Sequence, residues 1–297
     1  MQEQIIIELG SNSIKELHAR RSGTSWQVLS DITIPTRLGE GVVHSGSISE
    51  QSWKASLSVI EGIVSKHGKS PDSSIRVIAT ESLRRPFNAD KFIAAVKSSF
   101  GLEVELLSGE EEALYAFRAG SEGRTDADAE VSVLDIGGGS TEIATGNKDG
   151  ISYWKSLAIG AVNLTDKHLL HEIPMTDEID SLQADITTHL AEVYYNSTEQ
   201  VLVGVGGTIT TLAALKLKAW DKVDGASLSL EETSVLVQIL SRMNLNQRQQ
   251  LDAMPLRRAE IILAGSMILL LSMKHLQMEN IVVSTKGVRH GFLYTRC

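Results

Sequence analysis

The chain has 297 residues, a formal net charge of −9 and a single cysteine, Cys297. Its length suggests two domains of roughly 150 residues each, and its acidity gives no general reason to bind nucleic acid or an anionic membrane. A lone cysteine excludes an intrachain disulfide, no run approaches the ~18 apolar residues of a membrane span, and no export signal is visible, so the expected location is the cytoplasm.

In chain order, residues 5–9 read as a buried strand that runs into Gly10, Ser11, Asn12 and Ser13, with a return strand at 14–20. A helix at 53–66, a strand at 75–80, a helix at 89–99, a strand at 104–107 and a helix at 110–119 follow. Residues 121–130 are polar and aperiodic, and they read as a linker. A second strand at 131–136 then enters Gly137, Gly138, Gly139 and Ser140, with a return strand at 141–145. Glu8 falls on Asp135 and Gly10 on Gly137 without a gap, which reads as an internal duplication. The remainder predicts a helix at 176–194, a strand at 201–205, helices at 208–217, 230–243 and 257–276, and a strand at 281–284. Strands alternating with helices give an α/β class.

Glycines directly after a buried strand let backbone N–H groups approach a phosphate. Asp135 and Glu142 flank the second loop across a hairpin and can face one small volume. Two carboxylates with a phosphate suit Mg²⁺, which takes oxygen ligands and keeps several waters. A tight turn with ordinary polar flanks is the plainer alternative, weakened by the matching first loop. A third loop sets Gly206, Gly207 and Thr208 at a helix N-terminus, where backbone donors and the macrodipole favour an anion; a simple Thr cap is the alternative. Ser108 and Glu111 form a capping box. Glu112 lies outside the box, and beside a phosphate it can deprotonate water. Arg84 follows a strand end, where α/β folds collect ligands, and guanidinium binds phosphate bidentately. Other basic pairs, including Arg257 with Arg258 and Lys286 with Arg289, read as solvated charges. His290 reads as exposed, no histidine has zinc spacing, and no aromatic–basic interleaving marks a nucleic-acid surface.

Several stretches, taken in order, resemble the exopolyphosphatase / guanosine pentaphosphate phosphohydrolase family in its short two-domain form. They are Gly10 to Ser13, Ile78 to Thr80 with Ser82 to Arg84, Ser108 to Ala113, Asp135 to Glu142, Gly206 to Thr210, Arg258 to Gly265, and Gly287 to Arg289 with Gly291. The resemblance implies two ribonuclease-H-like domains of the actin–hexokinase–heat-shock ATPase superfold around a cleft. Residues 1–122 plus about 285–297 would form one domain and 123–284 the other. It implies Glu112 as the base for the attacking water, Asp135 and Glu142 as Mg²⁺ ligands with Glu8 near them, and the three loops as phosphate donors. Arg84 would assist and Arg258 would add a substrate contact. A homodimer is a further expectation.

Departures from the family pattern are Glu8 for Asp, Asn163 for Arg, Glu260 for Asp and His290 for Glu. Three functions follow as candidates. The first is Mg²⁺-dependent hydrolysis of terminal phosphate from polyphosphate or guanosine pentaphosphate. The second is a weakly active or inactive sensor of those molecules, motivated by Glu8 and Asn163. The third is an ATP-using kinase, for which no adenosine signature is visible.

Overall fold

The computed structural model describes residues 2–68, 73–123, 130–194 and 201–297. The first half opens with an antiparallel meander, β1 (Glu3–Leu9), β2 (Ser13–Ser22) and β3 (Ser25–Pro35). A single turn α1 (Val42–Ser45), then α2 (Glu50–His67), β4 (Ser73–Ala79), α3 (Ala89–Phe100), β5 (Val104–Leu106) and α4 (Gly109–Gly120) complete it. The second half repeats the meander as β6 (Val131–Ile136), β7 (Thr141–Asn147) and β8 (Gly150–Leu157). It continues with α5 (Ala161–His168), α6 (Thr176–Leu190), β9 (Val201–Val205), α7 (Gly207–Leu217), β10 (Ser227–Ser229), α8 (Leu230–Ser241), α9 (Leu245–Gln249), α10 (Ile262–His275), β11 (Asn280–Val283) and α11 (Val288–Arg296).

The two sheets run β3-β2-β1-β4-β5 and β8-β7-β6-β9-β11-β10. In both, three antiparallel strands lead into parallel ones, so the halves share one ribonuclease-H-like order. The duplication is also local: Gly10 N–H donates to the Ser13 carbonyl at 3.0 Å, and Gly137 N–H to the Ser140 carbonyl at 3.0 Å.

β1 is apolar on both faces because both are covered. Ile5, Ile7 and Leu9 pack outward with Ile60 of α2 and Phe92 and Val96 of α3. Ile6 points inward, into a core shared by both sheets with Val133 and Val205, Ala113, Tyr115 and Phe117 of α4, and Phe292 of α11. Strand parity then aims Glu8 and Asp135 into the same interior space, since each lies two residues from an inward apolar side chain. The sequence-predicted elements are present with shifted ends. The last long helix starts at Ile262 rather than 257, and the helix from 176 ends at Leu190. β3, β8, β10, α1, α5, α9 and α11 went unpredicted. β3 is an edge strand exposed over most of its length, so burial imposes no clear alternation on it. Most of the linker expected at 121–130 lies outside the described residues.

α11 presses on α4 so closely that a Cβ on Gly291 would lie 1.9 Å from the Tyr115 carbonyl oxygen. Because backbone cannot yield as a flexible side-chain tip does, Gly291→Ala is expected to lower stability by about 1–3 kcal/mol in urea unfolding. An unchanged midpoint would contradict that packing.

Candidate active site

The cavity between the halves is built from loop ends. Gly10, Ser11, Asn12 and Ser13 form one wall, and Gly137, Gly138, Gly139 and Ser140 the other. Gly206, Gly207 and Arg258 close a third side, and Glu8, Lys15, Glu112, Asp135 and Glu142 reach in. Asp135 and Glu142 sit directly opposite each other in the β6–β7 ladder. Like charges so placed repel. Among the described residues neither has an ion-pair partner, and Glu142 accepts a hydrogen bond from Ser156 Oγ at 2.7 Å. Burial pushes Asp135 up to about 6. Burial, with Asp135 beside it, pushes Glu142 up to about 8.

Glu112 follows the capping box, which forms as the sequence requires: Glu111 N–H donates to Ser108 Oγ at 3.1 Å, and Ser108 N–H to Glu111 Oε2 at 2.9 Å. The box fixes the first turn of α4 and leaves Glu112 turned inward, 3 % exposed. Burial and then the Glu142 charge drive its pKa well up, outweighing the opposing pull of Arg84. Arg84 does not line the cavity. Its guanidinium stands behind Glu112, donating to Glu112 Oε1, to the Leu107 carbonyl at 2.7 Å and to Glu81 Oε2 at 2.7 Å. Its donors are thus engaged by protein acceptors, and one of them holds the Glu112 carboxylate.

A model of the Ppx/GppA phosphatase family matches residues 17–297. This chain belongs to the Ppx/GppA phosphatase family. As a member it is a phosphohydrolase. It is similar to the structure of the Aquifex aeolicus family member, at 29% identity and a TM-score of 0.80, covering 99% of this chain and 97% of that one. An exopolyphosphatase from Cytophaga hutchinsonii ATCC 33406 has the same fold, with a TM-score of 0.89 at 24% identity over 99% of this chain and 97% of that one.

In this Ppx/GppA phosphatase the metal expected from the family has a matching donor set. The buried Glu142 and the half-buried Asp135, with no ion-pair partner among the described residues, offer hard oxygens, and their raised pKa values make ionising both costly unless a cation joins them. Among the described residues no group of three His, Cys, Asp or Glu side chains is arranged to hold a metal. One or two carboxylates with waters and substrate oxygens are the usual Mg²⁺ arrangement, so the pair suffices. Glu8 is differently engaged. Lys15 Nζ lies 2.5 Å from its Oε1, and Arg289 Nη1 lies 3.8 Å from its Oε2. Against burial, these cations hold Glu8 below the usual carboxylate range.

Arg258 is the cation that offers itself to an anion. Among the described residues it has no ion pair, its guanidinium packs on Gly207, and burial lowers its pKa to about 10. A Cβ on Gly207 would meet its Nη2 at 2.2 Å, so that glycine makes room for it. The surface reading of Arg258 is therefore corrected, as is that of Arg289, which is 7 % exposed and bidentate to Asp31 at 2.8 and 2.7 Å. His290, expected to be exposed, is 4 % exposed. Its Nδ1 accepts from Gly287 N–H at 3.2 Å, and burial lowers its pKa to about 3, so it is neutral. The first turn of α11 turns it inward, which residue type alone does not reveal.

Thr208 does not line the cavity. It packs against Gly265 of α10, and the Thr210 and Thr211 hydroxyls bond back to the Gly206 and Gly207 carbonyls. Asn163 supports the second loop, donating from Nδ2 to the Gly139 carbonyl at 2.9 Å. Lys15, along with Glu81, is a site residue missed from sequence. Its signal was present in the hairpin register, which sets it opposite Glu8.

Proposed function

We propose that the protein hydrolyses the terminal phosphoanhydride of inorganic polyphosphate or of guanosine pentaphosphate with the help of Mg²⁺. One observation carries the reading: Glu112, Asp135 and Glu142 enter a single cavity walled by glycine-rich backbone and faced by Arg258, which has no ion pair among the described residues. Phosphoryl transfer needs chiefly positioning and charge stabilisation, and no covalent nucleophile. Backbone N–H groups of the loops and Arg258 receive the phosphoryl oxygens. Glu112, its ionisation deferred to higher pH by burial, takes the proton of the attacking water while Arg84 holds its carboxylate in place. Asp135 and Glu142 would hold Mg²⁺, which when bound supplies charge neutralisation at the phosphoryl oxygens. The polyanion needs this in an acidic protein.

A phosphate-release assay on both substrates, with Mg²⁺ and with EDTA, tests the proposal. Release from at least one substrate, abolished by EDTA, is the expected outcome. No release from either at high enzyme concentration would sink it. The second reading, a sensor with little turnover, draws on the engagement of Glu8 by Lys15 and Arg289. For it, tight binding without release is the distinguishing result.

A further inference from the structure

The two phosphate loops touch. A Cβ on Gly138 would lie 3.0 Å from Ser11 Cβ, and one on Gly139 would lie 2.5 Å from Ser11 Oγ. Residues 36–45, between β3 and the end of α1, run beside this contact and line neither of the cavities around the carboxylates. They form a strap with two attachments.

On the first half, Thr36 and Arg37 N–H groups donate to the Asn12 carbonyl at 3.2 and 3.1 Å, and Gly39 N–H donates to the Ser11 carbonyl at 2.9 Å. On the second half, Gly41 N–H donates to Asp166 Oδ2 at 2.7 Å, and His44 Nε2 lies 2.9 Å from the Asp166 carbonyl. Arg37, with φ 57 in the left-handed region, pairs its guanidinium with Glu260. Asp166 belongs to α5, whose first turn is tied to the second loop. Ala161 N–H donates to the Gly137 carbonyl at 3.0 Å, and Val162 N–H to the Gly138 carbonyl at 2.8 Å. Hydrogen bonds thus join first loop, strap, α5 and second loop in series, and the packing of Ser11 on Gly138 and Gly139 closes the ring.

The catalytic cavity, about 50 Å³, adjoins a larger one of about 260 Å³, and the two share Lys15, Asp135, Gly206, Gly207 and Arg258 in their walls. The larger one adds two cations, Lys286, ion-paired with Glu122, and Arg289, ion-paired with Asp31, which also lines it. Ser11, Gly138 and Gly139, where the two loops meet, line the small cavity and not the larger one.

We infer that the strap, clasped to Asp166 and Glu260, is an end stop that makes the enzyme act on chain termini. With the loops held together behind the reacting phosphoryl group, a chain enters only from the larger cavity and presents its last phosphate to Glu112. This inference rests on the proposed hydrolysis of phosphate chains.

The test compares wild type with Asp166→Ala and with Arg37→Met/Asp166→Ala. Each is given polyphosphate with free ends and polyphosphate capped at both ends as phosphoramidates. Wild type is expected to release orthophosphate from free-ended chains and leave capped chains whole. The variants are expected to cut capped chains internally, at least about tenfold above wild type. Folded variants that leave capped chains whole overturn the end stop, whichever way orthophosphate release moves. Wild type inactive on free-ended chains refutes the proposed activity instead. In that case hydrogen exchange reads the clasp without substrate. Amides at 11–13 and 137–140 are expected to lose protection together in Asp166→Ala, and unchanged protection overturns the inference.

Discussion

Glu112→Gln is expected to lower phosphate release by about 10²–10⁴-fold with the fold intact, the range associated with loss of a general base. The amide has the carboxylate's shape, so the hydrogen bond from Arg84 to position 112 and the turn set by Ser108 and Glu111 persist. What disappears is the capacity to accept a proton from water. Burial also makes the change easy to tolerate. A buried carboxylate pushed well above its ordinary range is costly when ionised, and the neutral amide removes that cost. Thermal stability at neutral pH should therefore hold or rise while kcat collapses. The pH profile gives a second readout. A raised base pKa means the active, deprotonated form appears only as pH rises, so wild-type kcat climbs through that region and the variant's residual rate does not. A variant that turns over at the wild-type rate removes Glu112 from the chemistry.

Glu142→Gln is expected to separate metal binding from folding. Unfolded, both carboxylates titrate near pH 4. Folded, Asp135 is pushed up to about 6 and Glu142 to about 8. Between those limits the native state binds more protons than the unfolded one, so metal-free stability falls as pH rises. The favourable contribution is complete below the unfolded values and is lost as pH passes the folded ones. The variant escapes the Glu142 part of this loss. Without metal it should match wild type only at or below about pH 4 and exceed it by a few kcal/mol at about pH 9 in urea unfolding. With millimolar Mg²⁺ at about pH 8, wild type should regain stability by linkage and the variant much less. Equal responses of the two proteins to Mg²⁺ would place the ion elsewhere.

Much of the fold was legible because local chemistry repeats itself. An apolar run closed by a small-residue loop occurs twice, with Glu8 in register with Asp135, and the folded chain repeats both the loop hydrogen bond and the strand order. The capping box at Ser108 was equally local. β3 was not legible, since an edge strand exposed over most of its length carries weak alternation. Nor was the inward turn of His290 and Arg289, which the seating of α11 between the two sheets imposes.

The site divides along the same line. Residue order alone determined that two carboxylates flank a glycine turn and that Glu112 lies one place past its capping box, because these are relations within a hairpin and a helical turn. Tertiary structure decided which cations they meet. It set Arg84 behind Glu112, closed Lys15 onto Glu8, left Arg258 without an ion pair among the described residues and turned Thr208 away into α10. The physical reason is that a charge's role depends on burial and on neighbours distant in the chain, and both arise only when the two halves pack together.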